Sequence, residues 1–454
     1  MMDIVILAAG KGTRMRSRLP KVLHPLASKP LLQHVVDTMA PLASGPIKVV
    51  VGHGADQVRQ SISGSIEWVE QQQQLGTGHA ALQTLPLLSA SGKTLVSVGD
   101  VPLLQAETIE RMLQLSADHD VVLLTVTLAD PSGLGRIVRG DDGGIRAIVE
   151  HKDATAEQLA ICEINTGIML LDNNDLRRWL PAISSDNAQG EFYLTDVVAM
   201  AVAENRTVAA CHPEAEWEVQ GVNSRAQLAA LERDYQRHLA GQLMGAGVTL
   251  ADPERFDCRG SLRSGQDVFI DVGCVFSGDV ELADNVIIGP HCVIHNARIG
   301  EGARIKAHSV LEDCIVGADA EVGPFARLRP GTELGVGSRI GNFVETKQAR
   351  VGDGSKVNHL TYIGDAEIGR DVNVGAGTIT CNYDGANKHK TVLEDGSFIG
   401  SNASLVAPVT VGANATVGAG STVTQDVPPG SLAVARGKQR NVSEWQRPTK
   451  TNKG

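Results

Sequence analysis

The fold of the C-terminal half is decided by a repeat of six residues that is clear from Val316 onward. Residues 316–345 read VGADAE, VGPFAR, LRPGTE, LGVGSR and IGNFVE, and the pattern returns over 374–379 as VGAGTI and over 399–422 as IGSNAS, LVAPVT, VGANAT and VGAGST. Such ladders are typical of a parallel β-helix, in which each hexad forms a short strand and a corner. One rung cannot bury its own apolar face, so many rungs must stack. The hexads begin raggedly near residue 247, become regular after Ile299 and end near Ala435.

The repeat is broken after Ile340. The aliphatic position that follows Thr346 comes five residues later, at Val351, and the ladder slips again after Ile363. Residues 380–390 read TCNYDGANKHK, which is polar and rich in turn formers, so we expect a loop outside the stack. Loops on rigid scaffolds commonly carry function. The breaks therefore predict a site in this part of the coil.

The N-terminal half alternates strand patterns with helix patterns. Runs rich in β-branched residues predict strands at 4–7, 48–51, 94–98 and 121–124, and apolar periodicity predicts helices at 31–39 and 107–115. This alternation predicts a mostly parallel sheet covered by helices. In such sheets ligands bind at the carboxyl ends of the strands.

A linker helix is predicted between the two halves. Ser224 and Gln227 form a capping-box start. An apolar stripe from Leu228 to Leu243 predicts a helix that packs on one domain and spaces the two halves. We therefore expect three segments, which are an α/β domain over 1–225, a linker helix over 226–246 and a β-helix domain with a C-terminal tail over 247–454.

Composition excludes several classes of protein. The formal net charge of −11 argues against nonspecific nucleic-acid binding, which needs a basic surface. The 7 cysteines form no C-x-x-C pair, and their odd number excludes a complete set of internal disulfides, so a reducing cytosol fits best. No signal peptide and no run near about 18 apolar residues is present. We expect a cytoplasmic protein without membrane insertion.

Two motifs in the N-terminal half point to phosphate and metal chemistry. The first predicted strand runs into the glycine-rich turn 10–12, where backbone N–H groups can approach a phosphate or a base, and Arg14 and Lys21 add positive charge. The spacing matches neither a P-loop nor a complete dinucleotide fingerprint. The strand at 94–98 leads into Asp100, whose carboxylate suits a hard cation, although an Asp there also caps a following helix.

Several further motifs follow one another in a fixed order. They are Leu7–Met15, Pro20-Lys21, Gln74–Thr77, Gly99-Asp100, Gly135–Ile137, Ile148–Glu150, Glu163–Gly167 and Gly221–Asn223. In this order they resemble the sugar-1-phosphate nucleotidylyltransferases. With the hexads behind them, residues 2–435 are similar to the bacterial family that joins an N-acetylglucosamine-1-phosphate uridylyltransferase to a glucosamine-1-phosphate N-acetyltransferase.

The resemblance implies a fold, an activity and a set of substrates. The implied fold is α/β, with a Rossmann-like nucleotidylyltransferase domain, a linker helix and a left-handed parallel β-helix of hexapeptide repeats. The implied activity is acetylation of glucosamine-1-phosphate by acetyl-CoA, followed by transfer of UMP from UTP to N-acetylglucosamine-1-phosphate with release of pyrophosphate. The resemblance also implies Mg²⁺ as cofactor and a homotrimer with acetyl sites between subunits.

For the N-terminal domain, the resemblance implies metal ligands at Asp100 and Asn223 and a phosphate contact from Lys21. The implied residues for UTP and its sugar product are Leu7, Ala8, Ala9, Gly10, Arg14, Lys21, Gln71, Gly76, Thr77, Val98, Gly99, Asp100, Gly135, Glu150, Asn165 and Asn223. The need for positive charge follows independently from the chemistry. Both reactants are anions, and like unit charges about 4 Å apart repel by about 4 kcal/mol at an effective dielectric of about 20.

In the coil, Arg329 and Lys347 are eighteen residues apart, which is the length of three hexads. An undisturbed register would place one above the other as a clamp for phosphate, but the slip before Val351 leaves the geometry of later residues open. Histidine has a reference pKa of about 6.5, so the sequence alone allows His359 to be either a structural hydrogen-bonding residue or a general base.

For this domain the resemblance implies that His359 is the general base. The residues it implies for glucosamine-1-phosphate are Arg329, Lys347, Tyr362 and Asn373. Those it implies for acetyl-CoA are Ala376, Asn382, Tyr383, Ser401, Ala419 and Arg436. Two alternatives stay open, a nucleotidylyltransferase whose β-helix only oligomerises or regulates, and an inactive regulatory scaffold. Intact Glu150, Asn165 and Asn223 argue against the scaffold.

Overall fold

The structure, a computed structural model, describes residues 2–450. The chain folds into two compact units, called unit 1 and unit 2 below, and the division between them falls between Tyr235 and Gln236. None of the helices in this described part of the chain combines the length and the apolar character needed to span a bilayer.

Unit 1 is built on a twisted sheet whose strands mostly run parallel. The strands of this sheet are Met2–Leu7, Ile47–Val51, Ile66–Glu70, Lys93–Val98, Val121–Thr127, Arg136–Arg139, Ile145–Val149, Glu163–Asp172 and Val208–Cys211, and Pro25–Leu26 and Lys29–Pro30 form a separate two-stranded sheet. Strand Met2–Leu7 is central, pairing in parallel with Ile47–Val51 and Lys93–Val98. Strand Glu163–Asp172 is antiparallel to both of its main neighbours. The predicted strand–helix alternation is confirmed, because these runs of Val, Ile and Leu are buried on both faces of the sheet.

Helices cover this sheet and lead out of it. The helices are Leu31–Met39, Ala55–Ser61, Thr77–Leu82, Ala106–Leu115, Ala156–Leu159, Asn173–Trp179, Asp196–Ala203 and Arg225–Gly245. The last of these is the predicted linker helix, and the Ser224 hydroxyl accepts a 3.2 Å hydrogen bond from the Gln227 amide at its start. We expected this helix to pack on one domain only, but its two ends contribute to different cores. Leu231 belongs to a core cluster of unit 1, whereas Ala240 belongs to the core of unit 2.

Unit 2 is a stack of short parallel strands. One ladder comprises Thr249–Leu250, Phe269–Ile270, Ile287–Ile288, Arg304–Ile305, Glu321–Val322, Arg339–Asn342, Lys356–His359, Asn373–Val374, Phe398–Ile399, Thr416–Val417 and Leu432–Ala433. The other comprises Phe256–Ser264, Cys274–Leu282, Val293–Ile299, Val310–Val316, Arg327–Leu328, Thr332–Leu334, Glu345–Val351, Tyr362–Ile368, Ile379–Cys381, Thr391–Leu393, Ser404–Val406, Val409–Val411 and Thr422–Val423. Each strand pairs with one about a full turn later, so the predicted parallel β-helix is confirmed. Its pairing is consistent with the left-handed coil of hexapeptide repeats.

The core of this coil is a column of the hexad aliphatic residues. Val316, Val322, Leu328, Leu334 and Ile340 are each at most 4 % exposed, because every sixth side chain points inward. Most turns contain seventeen or eighteen residues, whereas the turn that carries the loop contains 25, from Asn373 to Phe398, and the last contains 16, from Thr416 to Leu432. Cys314 pairs with Thr332 and Val310 pairs with Arg327. The shorter turns have one residue fewer at a corner, which is how the coil absorbs the breaks seen in the repeat.

Candidate active sites

Three adjoining cavities lie at the carboxyl ends of the central strands of unit 1, and Val98, the last residue of its strand, lines all three. Their volumes are about 480 Å³ beside Leu7, about 200 Å³ beside Glu150 and about 510 Å³ beside Asn223. This is the position at which a doubly wound sheet binds ligands.

The cavity beside Leu7 is lined by the glycine-rich turn and by the segment before the helix Thr77–Leu82. Its lining includes the predicted residues Leu7, Ala8, Ala9, Gly10, Lys21, Gln71, Gly76, Thr77, Val98 and Asp100. The Ala8 amide donates to the Val50 carbonyl at 2.8 Å, which keeps the chain extended as it leaves the strand. Gly76 has a φ of 118° and lies against the Phe192 backbone, so a side chain here would clash.

The side-chain oxygens of Asp100 and Asn223 both bind the ammonium group of Lys21. The Lys21 ammonium donates to the Asp100 carboxylate and, at 3.1 Å, to Oδ1 of Asn223. The Val222 amide donates to the Asp100 carbonyl at 2.9 Å, and this backbone bond joins two segments that are far apart in sequence. The backbone N–H of Asn223 also donates to Oε1 of Gln227 at 3.0 Å, which fixes the position of Asn223 further. One carboxylate oxygen and one amide oxygen thus converge on a single positive charge.

The smallest cavity contains Gly135, Glu150 and Asn165. The Asn165 amide donates to the Gly135 carbonyl at 2.9 Å, and the Thr195 hydroxyl donates to Oε1 of Glu150 at 3.2 Å. Burial raises the pKa of Glu150 and outweighs the Thr195 hydrogen bond, which favours the charged form. Nearby carboxylates of Asp153, Asp196 and Glu191 raise it further. The cavity therefore offers a polar but partly desolvated acceptor for sugar hydroxyls.

The structure brings the predicted residues of this half together with one exception. Arg14, Asn165 and Asn223 line the third cavity with Asp100. Gly99 lines none of the three, and its amide instead donates to the Leu7 carbonyl at 2.9 Å. Thr195 was not predicted from the sequence, since it carries no local motif and reaches Glu150 only because helix Asp196–Ala203 packs against the sheet.

In unit 2, one edge of the coil collects many of the predicted residues. Backbone amides one turn later donate to the carbonyl groups of Asn342, His359, Ala376 and Ser401 at 2.8–3.2 Å, and the Arg436 guanidinium donates to the carbonyl of Ala419. These five, Asn342, His359, Ala376, Ser401 and Ala419, form a column that we call the His359 edge.

His359 lies exposed on this edge and its proton is positioned by Asn342. Nδ1 of His359 lies 3.0 Å from Oδ1 of Asn342, one turn earlier. An amide oxygen can only accept, so Nδ1 carries the proton and Nε2 is left with its lone pair free. This tautomer suits a general base. Asn342 was missed from sequence, although it stands one seventeen-residue turn before the histidine.

Three cationic side chains of the coil, those of Arg329, Lys347 and Lys388, interact with one another. The Arg329 backbone amide donates to the carbonyl of Thr346, the residue before Lys347, at 2.9 Å. Lys347 in turn pairs with Gly364 on the next turn. Arg329 and Lys347 are therefore neighbours, as their spacing predicts. The Lys388 ammonium lowers the pKa of Lys347, and Arg329 contributes in the same direction. Lys388 comes from the loop 380–390 and was not predicted. Arg329 is paired with the Glu345 carboxylate at 2.7 Å, so the charges of Lys347 and Lys388 are the ones left to favour an anion between them.

The loop also brings Asn382 next to Tyr362. A Cβ at Gly364 would lie 2.4 Å from the Tyr362 hydroxyl and 2.7 Å from the Asn382 amide, so a glycine is needed beneath them. The Asn382 amide donates to the Asp365 carboxylate. Of the other predicted residues, Asn373 lies in the neighbouring ladder and Tyr383 lies in the loop with 61 % of its surface exposed.

Comparison with known proteins covers both units. Three family models match, the MobA-like NTP transferase domain over residues 4–162, the GMPPB C-terminal domain over 259–344 and the bacterial transferase hexapeptide, with six repeats, over 390–425. The chain is 59 % identical over 450 residues to the bifunctional protein GlmU of Marinobacter nauticus, a match that covers 99 % of each chain. It is 57 % identical over 451 residues to the bifunctional protein GlmU of Cellvibrio japonicus, covering 99 % of this chain and 100 % of the relative. The protein of the same name from Stutzerimonas stutzeri is 57 % identical over 450 residues, covering 99 % of each.

Proposed function

This chain belongs to the family of bifunctional GlmU proteins, and from that membership we propose how its two units share one synthesis. The chain is an enzyme of UDP-N-acetylglucosamine synthesis with acetyltransferase and uridylyltransferase activities. Unit 2 acetylates glucosamine-1-phosphate, and unit 1 transfers UMP to the product. The domain limits predicted from sequence, 1–225 and 247–454, remain the proposed limits of the two catalytic parts.

In unit 1, Asp100 and Asn223 would hold Mg²⁺. Their oxygens already converge on one cation, the Lys21 ammonium, and this observation carries the proposal. Carboxylate and amide oxygens are hard ligands of the kind that Mg²⁺ prefers. When bound, Mg²⁺ neutralises phosphate charge.

The remaining residues of unit 1 bind and orient the two anions. Lys21 and Arg14 stabilise the charge that builds up as an oxygen of the sugar phosphate attacks the α-phosphorus of UTP in line and pyrophosphate leaves. Gln71, Gly76 and the turn after Leu7 hold the uridine. The cavity with Gly135, Glu150 and Asn165 holds the N-acetylglucosamine, as its hydrogen-bonding groups and size support.

In unit 2, acetyl-CoA lies along the His359 edge and the sugar phosphate lies against the three cations. The free Nε2 of His359 takes a proton from the amine of glucosamine-1-phosphate as the nitrogen attacks the thioester carbonyl. The C–S bond then breaks and the CoA thiolate leaves, taking up a proton. The exposed imidazole held by Asn342 supports this role, and the cluster of Arg329, Lys347 and Lys388 supports phosphate binding.

A coupled assay tests the proposal directly. With glucosamine-1-phosphate, acetyl-CoA, UTP and Mg²⁺ together, we expect release of both CoA and pyrophosphate. Omitting acetyl-CoA should abolish both products, because unit 1 then lacks N-acetylglucosamine-1-phosphate. Adding that sugar phosphate back should restore pyrophosphate alone. Pyrophosphate without acetyl-CoA or added N-acetylglucosamine-1-phosphate would contradict the proposed order.

We propose further that three copies associate along an apolar ladder beside the His359 edge. The ladder consists of four stacked rings, those of His291, His308, Phe325 and Phe343, at 4.8–5.5 Å between neighbouring centroids, and of Leu360. Phe325, Phe343 and Leu360 are 48 %, 56 % and 64 % exposed, more than a coil that functions alone would leave to water. Leu360 directly follows His359, so a second copy on the ladder would also border the acetyl site.

Phe343→Asp tests this association. At φ 57° the position accepts Asp, so the fold should survive while the apolar contact is lost. We expect sedimentation equilibrium to give the mass of three chains for the parent and of one chain for the variant. Val336→Asp is the matched control, since Val336 is 52 % exposed at another corner, beside Asp353. A trimeric Phe343→Asp protein would contradict the assignment of this surface.

The proposed compartment is the cytoplasm, with a product that supplies envelope polymers. All seven cysteines are free thiols, and five of them are buried. This agrees with a reducing compartment.

A further inference from the structure

Gln71 is held at the end of the cavity beside Leu7 by two hydrogen bonds from the same nitrogen. Its Nε2 lies 3.1 Å from the Gly76 carbonyl and 3.0 Å from Nδ1 of His79. The residue is only 2 % exposed, yet it lines the cavity. A buried amide with both N–H groups engaged cannot turn easily, because turning would leave a buried polar group without a partner.

The Gly76 carbonyl and Nδ1 of His79 together fix which way the side-chain amide of Gln71 faces. A backbone carbonyl can only accept, so the side-chain nitrogen of Gln71 must point to it. The second N–H of that nitrogen then donates to Nδ1 of His79, which places the imidazole proton on Nε2. The side-chain nitrogen of Gln83 donates to the His79 carbonyl at 3.2 Å and lies 3.3 Å from Nε2, with which it makes no hydrogen bond in this tautomer because both atoms are donors. The side-chain oxygen of Gln71 accepts no hydrogen bond from any side chain or backbone group within residues 2–450. It is therefore a pure acceptor presented to the cavity.

The position of His79 is itself set by tertiary contacts. The amide of Gly78 donates to the Phe192 carbonyl at 2.8 Å, and the Phe192 amide donates to the Leu75 carbonyl at 2.8 Å. The imidazole lies 6.3 Å from the Phe192 ring, centroid to centroid. His79 thus cannot follow a rotation of Gln71, and it blocks the amide from turning its nitrogen toward the cavity.

We propose that His79 is the positioning residue for base selection, because it fixes Gln71 as an acceptor that favours uracil over cytosine. Uracil presents an N3–H donor, whereas cytosine presents a lone pair at N3, so an acceptor in the site pairs with one and repels the other. The proposal rests on the assignment of this cavity to uridine. It goes beyond that assignment by naming a residue that does not touch the base but decides which base the site prefers.

Kinetics with two nucleotides test the role. We would measure kcat/KM for UTP and CTP, with N-acetylglucosamine-1-phosphate and pyrophosphate release, in the full chain. His79→Phe keeps a ring but removes one of the two acceptors of the Gln71 nitrogen, so only the Gly76 carbonyl still holds the amide and it turns more easily. We expect the UTP-to-CTP ratio to fall about 10- to 100-fold, mostly through KM. His79→Asn supplies an acceptor near the place of Nδ1 and should restore most of the ratio.

Two further variants separate the possible failures. Gln83→Ala, on the other side of the imidazole, is the control and should keep the parent ratio. Gln71→Leu should reduce kcat/KM for UTP and abolish discrimination; if UTP turnover is unchanged, the assignment of the cavity to uridine fails. If Gln71→Leu has this effect while His79→Phe keeps the parent ratio, only the role of His79 is overturned. Should His79→Phe not fold, as judged by circular dichroism, His79→Leu gives the same comparison.

Discussion

Replacing His359 with alanine is expected to lower kcat for acetyl transfer about 10²–10⁴-fold, the usual contribution of a general base. The amine of the sugar must lose a proton as it attacks the thioester, and Nε2 of His359 is a free acceptor on the edge where we place acetyl-CoA. KM for both substrates should change little, because the cations and the edge itself remain. CoA release measured with a thiol reagent follows the reaction.

The same preparation contains its own control for folding and for the second site. Pyrophosphate release from UTP and N-acetylglucosamine-1-phosphate should be unchanged in the His359→Ala protein. His295→Ala is the matched control on the coil, since this histidine hydrogen bonds Ser277 on an earlier turn. If acetyl transfer by His359→Ala stays within about twofold of the parent, the coil lacks the proposed base, and a nucleotidylyltransferase with a purely structural β-helix regains support.

Asp100→Asn is expected to lower kcat for pyrophosphate release by about 10²–10³-fold, the effect typical of losing one electrostatic contact in a transition state. The substitution keeps the shape of the side chain but removes its charge, so the site loses its anionic ligand for Mg²⁺. It also removes the ion-pair partner of Lys21. The Mg²⁺ concentration for half-maximal rate should rise as well, a change that a purely structural effect would not produce.

Asp56→Asn is the control for this change. Asp56 forms an exposed ion pair with Arg59, at 3.4 Å and with 92 % of its side chain exposed, so its loss should not affect either activity. Acetyl transfer should remain at the parent rate in both variants. A parental Mg²⁺ dependence in Asp100→Asn would mean that the metal is held elsewhere, and the proposed pairing with Asn223 would have to be abandoned.

Local pattern predicts much of this protein, because burial in it follows short periods. The hexad aliphatic residues from Val316 to Ile340 all point inward, as their spacing predicts. The strand ending at Leu7 and the strand ending at Val98 stand side by side, as expected for a parallel sheet with ligands at its carboxyl edge. The order of the nucleotidylyltransferase motifs also predicted which residues line most of the cavities.

Registers across breaks were harder to predict. The slip before Val351 left the register of His359 open, and the structure resolves it with a turn of seventeen residues that sets His359 beside Asn342. A loop was predicted over 380–390, but its first two residues, Thr380 and Cys381, belong to strand Ile379–Cys381, and the interaction of Lys388 with Lys347 was not predicted. A polar loop has no periodic constraint, so its path depends on the contacts it makes after folding.

Local spacing and composition are enough to predict the two architectures, the order of the motifs and the residue types available for each reaction. Folding is needed to bring Asp100 and Asn223 to one cation, Thr195 to Glu150, and His79 to the side-chain amide of Gln71. These pairs, the first two of them far apart along the chain, are set by sheet pairing and loop packing. Hydrogen bonds of this kind need donor and acceptor within about 3 Å, a precision that no spacing along the sequence can supply.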